Sequence, residues 1–222
     1  MRFTLGDTPL DLELSHLVIA GWTGRDRDAI QHHIEELAEI GVSPPSATPL
    51  FYRVSAALLT TASEIQVVGN ASSGEVEPLI VQHGERRWLG LGSDHTDRAL
   101  EAHSVAMSKQ VCAKPCATEL WAWEDLSDRL EEIRLESWIE EDGAWLPYQQ
   151  GTLAAILPLA DLIEGASLSL LAGEGAVAMM CGTFGAMGGV RPAARFRMAM
   201  TDPGTGRQIS HEYVTTALPE VA

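Results

Sequence analysis

The chain has 222 residues, with 15 Lys and Arg against 31 Asp and Glu, a formal net charge of −16. No stretch supplies the basic face needed to release phosphate counterions, which argues against nucleic acid as a partner. With 45% apolar and only 21% charged residues the chain lies well away from disordered compositions, and its length suits one strand-rich domain over residues 1–222.

In chain order, Leu10, Leu12 and Leu14 alternate with polar residues and precede the apolar run Leu17-Val18-Ile19-Ala20, which predicts a surface strand followed by a buried one. Asp7, Asp11 and Glu13 interrupt the N-terminal apolar residues, so no secretory signal is readable. From residue 26 to 40 the period becomes helical, with Ile30, Ile34, Leu37 and Ala38 on one face and Gly41 at the C-cap position. Pro44, Pro45 and Pro49 enforce an extended loop before short strands within 50–61 and 64–68, and residues 70–74 have turn chemistry. Residues 75–82 and 87–91 predict a hairpin around His83-Gly84-Glu85, in which Pro78 is tolerated only at a sheet edge or a bulge. A strand over 133–140 ends at Glu141-Asp142-Gly143. Residues 153–163 predict helix on either side of Pro158, and 167–171, 176–180 and 195–200 predict strands. The pattern is that of an α+β domain with two good helices and no repeat or linker. No apolar passage approaches the roughly 18 residues of a membrane span, so no membrane association is expected. Three cysteines, with Cys112 and Cys116 at a spacing that matches neither a redox pair nor half a zinc site, fit a reducing cytoplasm.

Several common site motifs are absent, among them GxxxxGK[ST], GxSxG and HExxH. A GxGxxA match at Gly173–Ala178 is followed by Gly182, Gly185, Gly188 and Gly189, which spoil the helix that a dinucleotide site requires. More informative is Glu75-Val76-Glu77, because residues i and i+2 of a strand share a face and two carboxylates there repel unless a cation lies between them. A solvated face is the common fate of such a pair. Asp94, just past the second strand of the hairpin, adds a third carboxylate, and together the three supply one face of an oxygen-rich octahedron of the kind that holds Mg²⁺ or Mn²⁺. Arg98 and Lys109 follow in a chain short of cations, as anchors for an anion or as ordinary salt-bridge partners.

The order of these segments resembles the fumarylacetoacetate hydrolase superfamily, in its short bacterial branch DUF2848, over about residues 17–211. The family's strand, Asn-Tyr-x-x-His-x-x-Glu helix and Pro-x-x-Pro-x-Phe-x-Lys loop are echoed by LVIAGWTGRDRDAIQHHIEE and PPSATPLFYRVSAAL. Its Glu-x-Glu metal strand matches Glu75-Val-Glu77, and its Asn-Asp-x-Ser-Ala-Arg-Asp segment matches Ser93-Asp94-His-Thr-Asp-Arg98-Ala. Its lysine segment resembles Lys109-Gln-Val-Cys112-Ala-Lys-Pro115. Its Gln-x-Gly-x-Thr resembles Gln149-Gln150-Gly151-Thr152, and its Gly-Thr-Pro loop is similar to Gly182-Thr183-Phe184. Departures accompany the matches. Only 17 positions separate Glu77 from Asp94, where the family places a helix, and the Asn-Tyr pair and the Pro of Gly-Thr-Pro are missing.

The resemblance implies a mixed β-sandwich roll with peripheral helices, a homodimer, and metal dependence through Glu75, Glu77 and Asp94. It also implies action on a 2-oxo acid or acylpyruvate-like carboxylate by C–C bond hydrolysis, decarboxylation or keto–enol isomerisation. Lys109 would share the developing negative charge, while Arg53, Arg98, Gln150 and Thr183 would position the small anionic carboxylate substrate. His33 and Glu36, one helical turn apart, would act as base or acid, although His32 reaches Glu36 equally well and His33 lies near the apolar stripe. The thin stripe of this helix suits a lid over the metal. Two other readings stand beside this one: a non-catalytic binder of small carboxylates on the same fold, and a cysteine-dependent hydrolase using Cys112 with His95 or His103.

Overall fold

The computed structural model describes residues 1–39 and 44–221; Gly41 and the side chains of residues 33 and 36–39 lie outside the described residues. The chain opens with strands β1 (Arg2–Leu5), β2 (Thr8–Asp11) and β3 (Leu14–Gly21), followed by helix α1 (Arg27–Glu39). Strands β4 (Leu50–Val54), β5 (Leu59–Thr60), β6 (Glu64–Val68) and β7 (Ser72–Ser73) lead to the long hairpin β8 (Val76–His83) and β9 (Arg86–Ser93). After it come β10 (Thr96–Asp97), α2 (Arg98–Glu101), α3 (Val105–Gln110), β11 (Lys114–Pro115) and β12 (Trp121–Ala122). The rest is β13 (Arg134–Glu141), β14 (Ala144–Thr152), α4 (Leu159–Gly165), α5 (Leu168–Leu171), β15 (Ala176–Met180), β16 (Arg195–Thr201) and β17 (Gln208–Leu218).

Two mixed sheets carry the architecture, a six-stranded one in the order β12-β9-β8-β15-β3-β4 and a five-stranded one in the order β14-β13-β16-β17-β6. Their facing sides share a core in which Ile80, Leu89 and Leu91 meet Leu135, Phe196, Met198 and Tyr213. On its other face the six-stranded sheet packs Leu17, Leu79, Val81 and Met180 against Phe3, Leu12 and Leu120. A sheet buried on both sides explains why β8, β15 and the middle of β3 read as continuous apolar runs, not as alternating ones.

Several sequence expectations change for local reasons. Pro78 stands in an interior strand, not at an edge or bulge. Its carbonyl accepts the Cys181 N–H at 3.2 Å, beyond the last residue of β15, so its missing N–H faces the place where that neighbour has ended. Residues 167–171 are the short helix α5, entered through Ser167 in the left-handed region (φ 53°), and not a strand. Within 153–163 only Leu159–Gly165 is α-helical, after a 3-10 turn at Leu153–Ala155. Strand β17 buries just Ile209 and Tyr213 deeply, too few apolar positions for its eleven residues to register as a strand.

The β16–β17 turn is held by Asp202, whose buried carboxylate accepts from the Gly204 N–H (3.0 Å), the Thr205 hydroxyl (2.8 Å) and Arg129 Nη2 (3.1 Å). Burial works against this carboxylate, but the Arg129 guanidinium and the turn donors outweigh it and hold its pKa down to about 2. Because that value lies below the unfolded one, the stabilisation is present above about pH 4 and is lost as pH falls toward 2. Asp202→Asn is expected to cost about 1–3 kcal/mol at pH 7, and the gap to the parent protein should close by pH 2. Urea unfolding at a series of pH values measures both.

Candidate metal centre

Glu75 directly precedes β8 and Glu77 is its second residue, so both side chains leave the same face of the sheet. Gly92 stands opposite Glu77 in β9, and the chain then brings Asp94 beside Glu75, whose carbonyl accepts the Asp94 N–H at 3.1 Å. The hairpin thus covers the 17 positions where the resemblance implied a helix. The three residues offer carboxylate oxygens that all lie within 4.8 Å of one another, with Glu77 and Asp94 buried and Glu75 partly so.

Cations surround this cluster. Arg98 Nη2 lies 3.1 Å from Glu75, and the same guanidinium donates to Ser73 Oγ (2.7 Å) and Glu101 (3.0 Å). Lys109 donates to Asp94 Oδ2, and Lys114 Nζ sits 3.0 Å from Asp94 Oδ1 while donating to the His95 carbonyl. Burial opposes charge on Asp94, but the two lysines outweigh it and hold the carboxyl well below its ordinary range. Burial likewise opposes the Lys109 ammonium, and Asp94 with Glu75 keeps it above the usual lysine value. Glu77 is the exception. Its hydrogen bond comes from the neutral Gly182 N–H (2.7 Å), and burial together with Asp94 and Glu75 pushes its pKa well up. Asp94 Oδ1, for its part, accepts no hydrogen bond of good geometry. A buried carboxylate with no ion pair among the described residues, beside a second whose Oδ1 meets only the Lys114 ammonium, fits a divalent cation held by all three.

The centre is seated on a buried polar chain between the sheets. Tyr213 of β17 bonds Ser93 Oγ (2.9 Å) and His95 Nδ1 (3.0 Å), and His95 Nε2 reaches Ser72 Oγ (2.8 Å). Burial, with Lys114 and Arg98 nearby, lowers the His95 pKa to about 3, so the ring is neutral. Gly74 has to be glycine here, since a Cβ would stand 2.4 Å from the Tyr213 hydroxyl. At Gly182 (φ +102°) a Cβ would lie 1.7 Å from Thr23 Oγ1, so the loop that supplies the Glu77 donor tolerates no side chain.

Among the residues expected from sequence, Glu75, Glu77, Asp94, Arg98 and Lys109 come together. Thr183 adjoins them, donating to the Val76 carbonyl at 2.7 Å. Arg53 does not. It is exposed and reaches His16 Nδ1 (3.2 Å), whereas its neighbour Tyr52, on the other side of β4, presents its ring 5.8 Å from Lys109 Nζ and accepts from Trp22 Nε1 (3.2 Å). Gln150 is also turned outward. The buried Gln149 instead accepts from the Val76 N–H (2.9 Å) and donates to Thr183 Oγ1 (2.7 Å) and the Phe184 carbonyl (2.8 Å). In both cases the side chain turned toward the cluster is one strand position away. Lys114 carries no sequence signal of its own, since its partners Asp94 and the His95 carbonyl are reached only through the fold. The backbone of His33 and Glu36 lies in α1, and their side chains are outside the described residues. The cysteine reading fails on geometry: Cys112 is buried with its thiol pushed up to about 11 by burial, both ring nitrogens of His95 are engaged elsewhere, and His103 is exposed.

No helix among the described residues is long and apolar enough to cross a membrane. No curated protein matches the chain. Among solved structures, 2-keto-3-deoxy-D-arabinonate dehydratase complexed with magnesium and 2,5-dioxopentanoate superposes with a TM-score of 0.66 at 12% identity, covering 98% of this chain and 79% of its own. A hexagonal crystal form of 2-keto-3-deoxyarabinonate dehydratase gives 0.67 at 12% identity, covering 94% and 76%. Cg1458 gives 0.63 at 13% identity, covering 93% and 78%. These likenesses show the fold, a mixed roll of the fumarylacetoacetate hydrolase type. The model of DUF2848, described as a protein of unknown function, matches residues 20–213, and the chain belongs to that family.

Proposed function

We propose that the protein is an enzyme dependent on Mg²⁺ or Mn²⁺ that acts on a 2-oxo acid, with the cation held by Glu75, Glu77 and Asp94. The observation that carries this reading is the set of three carboxylates within 4.8 Å, of which Glu77 forms no ion pair among the described residues. The magnesium-containing dehydratase of the same fold, crystallised with a dioxopentanoate, supports it. When bound, the cation supplies Lewis-acid polarisation of a chelated carboxylate and its adjacent carbonyl.

The residues of the chain do the rest. Glu75, Glu77 and Asp94 are formally balanced by Lys109, Lys114 and Arg98, so a divalent cation leaves the centre two positive charges in excess. A 2-oxo acid in its enolate form brings two negative ones. Lys109, on a helix at the rim of the cluster, is placed to donate to that developing charge, and Arg98 and Thr183 to position the carboxylate end. A cavity of about 320 Å³ between α1 and Trp22, lined also by Ile30, Ile34 and Leu157, offers room for the rest of the substrate. It is linked to the centre through Trp22 of its lining, which donates to Tyr52, whose ring faces Lys109. His33 and Glu36 of α1 would serve as the proton-transfer pair. Hydrolysis of a C–C bond, decarboxylation and keto–enol isomerisation, together with the dehydration named for the solved neighbour, all fit a site that stabilises an enolate.

Turnover of a panel of acylpyruvates and 2-oxo acids should be abolished by EDTA and restored by Mg²⁺ or Mn²⁺; binding without turnover would favour the non-catalytic carboxylate binder. Calorimetry should find one Mn²⁺ per chain, and Glu77→Ala should remove it, since two carboxylates leave the site short of charge and of ligands. Unchanged affinity in that variant would sink the assignment. Glu36→Gln is expected to lower turnover while leaving Mn²⁺ affinity intact. Hydrogen exchange along α1 should slow when Mg²⁺ and oxalate are added together and change little with Mg²⁺ alone; protection already high in the free protein would make α1 a fixed packing element.

A further inference from the structure

The two lysines on Asp94 are held in different ways. Lys114 belongs to β11, which pairs with β5; its side chain is wholly buried and its ammonium is shared between Asp94 and the His95 carbonyl. Lys109 sits near the end of the six-residue helix α3, between the exposed Met107 and Val111, and among the described residues its hydrogen bond goes to Asp94 alone. Its ammonium also lies in the field of Glu75 and Glu77, so it is the cation nearest to neutralising the whole cluster. The face of the Tyr52 ring stands 5.8 Å from Nζ, at the outer limit of a cation–π contact, and the ring is anchored by Trp22 Nε1. A divalent ion held by Glu75, Glu77 and Asp94 would compete with this ammonium for the Asp94 carboxylate.

We propose that Lys109 is the counter-ion of the metal-free carboxylate cluster and gives up Asp94 when a divalent cation binds, shifting its ammonium onto the Tyr52 ring. The proposal rests on the cation site proposed above and adds an order of events: the metal frees the group that then meets the anionic substrate. Binding therefore has to break a charge-assisted hydrogen bond, which leaves the metal affinity of the parent protein below what the carboxylates alone would give.

Two substitutions should move Mn²⁺ affinity in opposite directions. Lys109→Met removes the competitor and should tighten binding about ten- to a hundredfold, the equivalent of one hydrogen bond to a charged group. Tyr52→Leu removes the landing place and should weaken it about two- to fivefold. Titration calorimetry on metal-free protein gives both constants, and acetylation of the parent protein read by mass spectrometry supplies a measurement that needs no variant. Lys109 should be modified slowly without metal and several-fold faster with saturating Mg²⁺, while Lys114 stays unmodified in both states. Labelling that ignores Mg²⁺ overturns the proposal, as does Mn²⁺ affinity that is unchanged or weaker in a folded Lys109→Met; if that variant does not fold, the labelling decides. Mn²⁺ that binds the parent protein without these effects sinks the proposal alone. Mn²⁺ that binds none of the proteins removes the cation site and the proposal with it, whereas binding confined to Lys109→Met supports the displacement.

Discussion

Three carboxylates cannot be buried within 4.8 Å of one another without positive charge among them, and much of this molecule is arranged around that requirement. One of the three, Glu77, lies in a strand that is buried on both faces, where a glutamate is least expected, and Glu75 stands just before it. Around them the chain, otherwise strongly acidic, commits two lysines and an arginine, each from a different short element after β9. Glu77, within β8, is bonded instead to a neutral amide, and burial with the neighbouring carboxylates raises its pKa. The three carboxylates and the three basic groups balance formally, and a divalent cation over-balances them, which makes the centre suited to an anionic ligand.

The same requirement explains the glycines and small polar residues nearby. Gly74 and Gly182 are places where a methyl group would collide with Tyr213 or Thr23, so backbone and hydroxyl groups approach the carboxylates closely enough to shape the pocket. Tyr213 ties Ser93 and His95 on either side of Asp94 to the opposite sheet, so the position of the ligand depends on how the two sheets pack. Gln149 does the same for Val76 and the Thr183 loop. Each of these groups spends its hydrogen bonds on holding a neighbour in place.

How much of this was legible in the sequence depends on the kind of signal. Glu75 and Glu77 were readable because strand parity is a fixed geometry, and Asp94 because the hairpin that returns it has a plain turn at His83-Gly84-Glu85. The α1 helix and the apolar strands were readable from period and run length. Arg53 and Gln150 were misplaced because a resemblance locates a segment to within a residue or so, while a strand turns successive side chains to opposite sides. Tyr52 and Gln149 are the residues that parity selects. His95, Tyr213 and Lys114 gave no local signal, since their partners lie on other elements and only the tertiary fold joins them. Strand β17 eluded the apolar pattern because most of its residues face outward, and the 167–171 segment reads as a strand in composition but follows a left-handed turn that starts a helix.

The β8–β9 hairpin has a consequence for how the molecule assembles. A two-residue connection at Gly84-Glu85 makes this the most sequence-local strand pairing near the centre, and local pairings close quickly because little chain entropy is lost. The acidic residues are thus brought together by the fast step, whereas Lys109, Lys114 and the Tyr213 strand join through slower, long-range contacts. During synthesis the hairpin leaves the ribosome before either lysine does, so the nascent cluster first meets the cations of its surroundings and only later those of its own chain. Until α3 and β11 arrive, the carboxylates of the hairpin are screened only by the ions of the medium.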